Sequence, residues 1–255
     1  MPATGCYLYG LIRSAEDRDF GSIGLMHEGK PGRVYTARVD SVAAVVSEYG
    51  AREKVLPLRK NLDPHNRVIR EVMKSTTIVP MTFGHVAKSE DEVLKALRRN
   101  RNSIRAELER VDGKVEMTLK VKWDVDNIFE YFVAKDEGLA AFRDQIFGRS
   151  HAPSQAEKIE LGHMFEERLG KEREEQTQRI VEAFESCVSE LKAIPAKNEK
   201  SVMDFAFLVE RERQKVFEER VYQVAGTFST QYLFDFSGPW APFNFVELDL
   251  HTAAA

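Results

Sequence analysis

The stretch FSTQYLFDFSGPWAPFNFVEL, residues 228–248, decides much of the predicted fold. Its first part alternates, and one face carries Phe228, Thr230, Tyr232, Phe234 and Phe236. A period of two is typical of a half-buried β-strand. We expect this strand to stop at Ser237-Gly238-Pro239, because Gly permits positive φ and Pro has no amide hydrogen to donate.

An aromatic tail follows this strand, and we define it as residues 237–250. So many aromatic side chains do not remain in a free coil in water. They either cover the core of their own protein or form an adhesive surface for another protein, since aromatic residues are enriched in the cores of interfaces. The residues that we select for contact with a partner or between domains are Phe236, Trp240, Phe243 and Phe245.

Length and composition narrow the class of protein. The 255 residues indicate one or two domains, and 43% hydrophobic with 31% charged residues is typical of a soluble globular protein. A net charge of −4 argues against binding to nucleic acid. No apolar run approaches the roughly 20 residues that span a bilayer, and no secretory signal precedes the first strand. We therefore expect a cytoplasmic protein with no membrane contact, in which Cys6 and Cys187 stay reduced in the core.

The first of two predicted domains covers residues 1–112 and is α+β, with a small, mostly antiparallel sheet. Its predicted strands are residues 6–12, a hairpin of 33–39 with 42–47, and 77–86, where Pro80 indicates an edge. Residues 14–32 are polar and glycine-rich and predict a long loop. One helix is expected to start with Asp63 as N-cap and Pro64 in the first turn. A second helix is expected to start with a capping box of Ser89 and Glu92.

The second predicted domain covers residues 113–255 and resembles a modified ferredoxin-like fold. Strand 114–123 alternates apolar residues with Lys114, Glu116, Thr118, Lys120 and Lys122, which are expected to face water. Residues 155–192 predict a helix of roughly 57 Å if unbroken, which projects as an arm or as a helical hairpin because 172–179 is entirely polar. The order of strand, helices, strand, helix, strand lacks one ferredoxin-like strand. Residues 243–248 either supply it or cross over to the first domain.

Candidate chemistry is sparse. Residues 63–67, DPHNR, form the most polar cluster of the first domain. His65 falls in the first turn of the predicted helix, where we expect it to be exposed. Either this cluster, with His65 and Arg67, contacts an anion or a partner loop, or Asp63 caps the helix while Asn66 and Arg67 bond strand 76–82. There is no HExxH, no CxxC, no phosphate loop and no GxSxG. The carboxylates of 157–190 alternate with Lys and Arg as on a solvated helix face. We therefore predict no catalytic residue, no cofactor and no metal.

Five segments together resemble one known family. The end of the chain, FDFSGPWAPFNFVEL (234–248), resembles the C-terminal signature of the gas vesicle protein F/L (GvpF/GvpL) family. Upstream segments come in the order of that family: YLYGLI (7–12), VAAVVSEY (42–49), HNRVIREVM (65–73) and VPMTFG (79–84). The resemblance implies an accessory or minor structural protein of gas vesicles, the hollow shells that give buoyancy. Its implied partners are the small hydrophobic shell protein and other vesicle accessory proteins, and its implied location is the cytoplasm and the vesicle.

Other functions stay open at this point. Within the family reading, the protein either holds or nucleates the shell protein during assembly or sits on the inner wall of the vesicle. Outside it, a ferredoxin-like scaffold suits a ligand-binding regulator, and helix 155–192 suits a self-assembling scaffold. An enzyme is the alternative with the least support in the sequence.

Overall fold

A computed structural model of the chain describes residues 4–51, 54–196 and 198–248. The described part contains seven α-helices and two antiparallel sheets, one of six strands and one of four, which confirms the α+β class. Contacts divide the described chain into two compact units. The first comprises Met1–Met117, Leu208–Arg211 and Gly238–Ala255, and the second comprises Thr118–Phe207 and Glu212–Ser237. From Gly238 onward, the described part of the tail thus groups with the N-terminal part of the chain, whereas the sequence division placed it in the second domain. The folding domains 1–112 and 113–255 stay a prediction, and tail residues 249–250 lie outside the described part.

The sheet of the first unit is built around the N-terminal strand. Its strands are β1 (Thr4–Arg13), β2 (Asp19–His27), β3 (Lys30–Val39), β4 (Val42–Gly50), β5 (Ile78–Pro80) and β6 (Val86–Ala87). The order is β2-β3-β4-β1-β5, and β6 also pairs with β1. The predicted hairpin is confirmed, with Val39 opposite Val42. Pro80 lies in a strand at the end of this order, as its missing amide hydrogen predicts.

The predicted loop over residues 14–32 was wrong, because β2 and the start of β3 occupy most of it. Two of its glycines, Gly24 and Gly32, are closely packed. A Cβ on Gly24 would lie 2.6 Å from the Tyr9 hydroxyl and 2.9 Å from the Gly32 carbonyl oxygen. The pairing of β2 with β3 is also irregular, with register shifts around Gly21 and between Ser22 and Met26. Glycine at a bulged, closely packed strand leaves no alternating pattern to detect.

Three helices complete the first unit: α1 (Arg59–Met73), α2 (Glu90–Arg99) and α3 (Arg101–Arg110). The predicted start of α1 at Asp63 was wrong. The Leu58 carbonyl already accepts from the amides of Asn61 and Leu62, so the helix begins about one turn earlier. Asp63 is not the cap and lies 3.4 Å from Arg59 instead. At α2, the Ser89 hydroxyl accepts from the Glu92 amide, as predicted for the cap. The predicted capping box is only half formed, because the Glu92 carboxylate accepts from the Lys88 amide.

The second sheet has the order β10-β7-β9-β8. Its strands are β7 (Lys114–Trp123), β8 (Glu190–Ile194), β9 (Ser201–Glu210) and β10 (Tyr232–Trp240). The helices around it are α4 (Ile128–Val133), α5 (Glu137–Phe147), α6 (Gln155–Phe184) and α7 (Gln214–Ala225). The strand missing from the predicted order is β8, which lies partly in the region assigned to a helix. Residues 243–248 do not supply it, and the ferredoxin-like assignment stays a prediction.

The polar middle of α6 does not project, contrary to the prediction of an arm. Glu172 is buried and accepts from Arg168 at 2.8 Å, Gln176 at 3.1 Å and the Tyr232 hydroxyl at 3.1 Å. Arg173 donates to the backbone carbonyls of Ser201 and Glu199. Hydrogen bonds thus replace apolar contacts over this segment, and an apolar pattern cannot reveal such packing.

Strand β10 continues to Trp240, so the predicted stop at Ser237-Gly238-Pro239 was wrong. Its edge position in the sheet tolerates Pro239, which has no amide hydrogen. Gly238 has a φ of +139° and lies against β7. A Cβ there would come within 2.7 Å of Met117 Sδ and 2.9 Å of the Glu116 carbonyl oxygen.

Gly238→Ala tests this close approach. We expect it to lower the free energy of unfolding by about 1–3 kcal/mol, because both the positive φ and the contact with β7 oppose a side chain. Gly162→Ala is the matched control, since a Cβ on Gly162 in α6 meets nothing within 4 Å. It should leave stability unchanged or raise it by up to about 1 kcal/mol. Equal urea midpoints for both variants would show that β10 does not need glycine at 238.

Candidate functional site

One face of α1 and the start of the tail enclose a cavity of about 260 Å³ in the first unit. The helix contributes positions at i, i+3, i+4 and i+7, which lie on one side of a helix. We call this cavity the tail pocket, and its lining is Asn66, Ile69, Arg70, Met73, Trp240, Ala241 and Phe243. Ile69, Met73 and Ala241 are buried, whereas Trp240 is 39% and Phe243 is 40% exposed. The pocket therefore has an apolar floor and a partly solvated aromatic wall.

A buried carboxylate anchors the tail beside this pocket. Glu116 was predicted to face water, which was wrong, because it is only 4% exposed. Its two carboxylate oxygens accept from the Asn244 backbone amide at 2.8 Å and from Asn244 Nδ2 at 2.6 Å. Burial raises the pKa of Glu116, and the two hydrogen bonds from Asn244 oppose that rise. The carboxyl group is thus accommodated inside the unit by its hydrogen bonds to the tail.

Arg110 anchors the tail a second time, at Phe245, the residue after Asn244. Its guanidinium donates to the Phe245 backbone carbonyl and, at 2.9 Å, to Glu107. Phe245 is 5% exposed, and Ala241 belongs to the main apolar core of this unit. Residues on both sides of Phe243 are therefore fixed, which holds the aromatic wall of the pocket in one place.

The structure separates the four aromatic residues selected from the sequence. Trp240 and Phe243 lie together in the tail pocket. Phe245 is buried in the first unit. Phe236 belongs to the second unit, where its half-buried ring packs edge-on against Tyr222 at 5.9 Å. Sequence reasoning missed the α1 side of the pocket, although the spacing of residues 66, 69, 70 and 73 was available as a signal.

His65 was predicted to be exposed in the first helical turn, and this was wrong. Because α1 begins earlier, His65 faces the sheet and is 2% exposed. Its Nδ1 is 2.9 Å from the Tyr7 hydroxyl, and its ring packs against Tyr9 and Phe83 at 5.7 and 5.5 Å. Desolvation lowers the pKa of His65 to about 4, against an opposing contribution from the Met81 backbone. A neutral, packed ring is the result.

Arg67 points away from His65 and does not share a site with it. Its guanidinium is exposed and donates to the Ile23 carbonyl at 3.0 Å, not to strand 76–82 as one alternative held. The DPHNR cluster is thus divided between the core and the surface. Asn66, its remaining amide, lines the tail pocket.

Cys6 and Cys187 are buried and unpaired, as predicted, and burial raises the pKa of Cys6 to about 11. Over residues 4–51, 54–196 and 198–248, no three His, Cys, Asp or Glu side chains are grouped to hold a metal ion. Within the same ranges, none of the helices has the length and apolar character needed to span a bilayer.

Comparison with known proteins gives one consistent family. The family model described as gas vesicle synthesis protein GvpL/GvpF matches residues 5–247. Gas vesicle protein F of Nostoc sp. (strain PCC 7120) is 25% identical, over 96% of this chain and 99% of that protein. Gas vesicle protein F1 of Halobacterium salinarum is also 25% identical, over 97% of this chain and 94% of that protein.

Two crystal structures share the fold. That of GvpF from Anabaena sp. PCC7120 superposes with a TM-score of 0.81 at 24% identity, over 96% of this chain and 99% of that one. That of GvpF from Microcystis aeruginosa gives a TM-score of 0.76 at 20% identity, with the same coverage.

Asn244→Ala tests the anchor of the tail. It removes the Nδ2 bond to a buried carboxylate, so we expect a loss of about 1–3 kcal/mol in the free energy of unfolding. Amide hydrogen exchange over residues 240–246 should accelerate more than exchange in β4. Asn102→Ala is the control, because Asn102 of α3 is exposed, carries the same amide and is outside the lining of the tail pocket. Unchanged exchange in the tail of Asn244→Ala would contradict the anchoring role.

The buried His65 predicts a pH dependence of stability. Its folded pKa of about 4 lies below the ordinary value of 6.5, so the unfolded chain binds more protons between these values. Stability should therefore fall as the pH is lowered from about 6.5 towards 4, by up to about 3 kcal/mol. His65→Phe keeps a ring in the core and lacks this contribution. Chemical denaturation at pH 7.5 and pH 5 should show a smaller pH effect in the variant, and parallel curves would exclude the assignment.

Proposed function

This chain belongs to the gas vesicle synthesis protein GvpL/GvpF family, and we propose that it acts in gas vesicle assembly by contacting the hydrophobic shell protein through its aromatic tail. Other vesicle accessory proteins are its further proposed partners. We place it in the cytoplasm and on the gas vesicle, in a binding role and not a catalytic one. Beyond family membership, the proposal names the aromatic tail as the contact surface and the shell protein as the partner.

The observation that carries the proposal is the solvated aromatic wall of the tail pocket. Trp240 and Phe243 remain about two-fifths exposed, while the chain between and after them is held by Ala241, Asn244 and Phe245. Exposed aromatic side chains on an ordered backbone are typical of interface hot spots. Because the backbone is already ordered, binding there loses little conformational freedom.

A physical reason favours such a surface in shell assembly. A small shell protein with a strongly apolar face aggregates unless that face is covered before it assembles. An aromatic patch on a highly charged protein can cover part of it and release it again. The same contact also suits a component that stays on the inner wall, so the test is designed to separate the two.

The proposed roles of the selected residues differ. We assign partner contact to Trp240 and Phe243. We assign Phe245 and His65 to the core of the first unit, since both are buried there. Phe236 and Arg67 are secondary candidates for contacts, because each already has an intramolecular partner in Tyr222 or in the Ile23 carbonyl.

Site-specific photo-cross-linking tests the proposal. A photoreactive phenylalanine analogue replaces Phe243, and a control variant carries it at Val216, an apolar residue of α7 that is also about two-fifths exposed. Both are irradiated in growing cells and in purified vesicles. We expect links from position 243 to the shell protein and few from position 216.

The two samples separate the modes of action. Links in purified vesicles indicate a stable component, and links confined to growing cells indicate transient binding during assembly. No link to the shell protein from position 243 in either sample, or equal links from both positions, would overturn the proposal.

A further inference from the structure

The size of the tail pocket restricts what it can hold. Its volume of about 260 Å³ is below the roughly 300–1,000 Å³ typical of sites for cofactors and drug-sized ligands. Its floor is made by the buried side chains of Ile69, Met73 and Ala241. A cavity of this size and lining is suited to one or two aliphatic side chains.

The rim of the pocket adds a charge. Arg70 is the one charged residue in the lining, and it is exposed. Neighbouring arginines of α1 are engaged, Arg59 with Asp63 and Arg67 with the Ile23 carbonyl. The Arg70 guanidinium makes no hydrogen bond or ion pair with any residue that the structure describes. The same holds, among those residues, for the Asn66 amide one turn away.

We propose that the tail pocket binds a partner segment in which an aliphatic side chain is followed by Asp or Glu. The aliphatic group enters between Ile69 and Phe243, and the carboxylate meets Arg70, whose planar guanidinium matches a carboxylate with two parallel hydrogen bonds. Asn66 offers the adjacent backbone a donor and an acceptor. This inference rests on the proposed function, because the segment belongs to the protein that the tail contacts.

Charge complementarity favours this occupant over a basic segment, which Arg70 repels at the rim. Two other occupants remain as outcomes of the experiment. One is a second copy of this chain. The other is residues 249–255, DLHTAAA, whose Asp249 and Leu250 also place a carboxylate beside an aliphatic group and lie outside the described residues.

Methyl NMR measures binding at the pocket itself. The protein is labelled with ¹³C at its seven methionine methyl groups, and Met73 is assigned from Met73→Leu. The ligands are three blocked peptides, acetyl-Gly-Leu-Asp-Gly-amide and its Leu-Asn and Ala-Asp analogues. We expect the Leu-Asp peptide to shift the Met73 methyl signal saturably. Each analogue should bind about fivefold more weakly than the Leu-Asp peptide.

Charge variants test the role of the rim. Arg70→Gln should remove the difference between the Leu-Asp and Leu-Asn peptides, because both then meet a neutral amide. Arg59→Gln is the matched control on the same helix and should keep the difference, since Arg59 is outside the pocket. Circular dichroism shows whether each variant is folded before it is titrated.

Three results would overturn the inference. The first is no shift of Met73 with the Leu-Asp peptide, or the same affinity for the Leu-Asn peptide. The second concerns a chain that ends at Leu248. Its Met73 signal differs from that of the full chain before any peptide is added, and only the shortened chain binds the peptide. Residues 249–255 then fill the pocket of the full chain. The third is a Met73 signal that depends on protein concentration, which indicates a second copy.

The two experiments can fail separately. If position 243 links to the shell protein but no peptide binds, the proposed function stands and the peptide specificity is wrong. If the peptide binds but position 243 gives no links, the proposed contact with the shell protein is wrong and the peptide specificity stands.

Discussion

The tail depends on one buried carboxylate. Glu116 lies in a strand at 4% exposure, where an unpaired charge would be strongly destabilising. Asn244 satisfies both of its oxygens, one through the backbone amide and one through the side-chain amide. Because one of these donors is the main chain itself, the pair fixes the path of the tail and not only a side chain. Trp240 and Phe243 are placed on the pocket by that path, and Phe245 is placed in the core.

This arrangement divides the aromatic residues into two groups with opposite solvation. Burial of Phe245 and Ala241 contributes apolar area to the first unit, while the exposed parts of Trp240 and Phe243 contribute none. Because the backbone is anchored on both sides of these residues, their aromatic rings stay partly exposed to water and do not fold into the core. The question posed by the sequence, whether the tail covers a core or offers a surface, therefore has a different answer at neighbouring residues.

Sequence patterns predicted those elements whose signal is local. The hairpin of β3 and β4, strand β7 and the cap at Ser89 each follow from alternation or from a cap residue. The burial of Glu116 could not be predicted this way, since its partner is 128 residues away. Strand β2 was missed because close packing against Tyr9 requires glycine, and glycine removes the alternation. The middle of α6 was misjudged because hydrogen bonds, not apolar contacts, pack it.

An error of about one turn in the predicted start of α1 changed which of its residues were expected to form a site. A helix that begins at Arg59 and not at Asp63 directs His65 into the core and leaves Asn66 and Arg70 at the tail pocket. The polar cluster DPHNR thus contains one residue of the tail pocket, which is Asn66 and not the selected His65 or Arg67. The second polar residue of the pocket, Arg70, lies outside the cluster. Two crystal structures at 24% and 20% identity share this fold, with TM-scores of 0.81 and 0.76. A shared fold does not by itself give a shared pocket lining. The unengaged guanidinium of Arg70 is a property of one side chain, and the proposed choice of ligand depends on it.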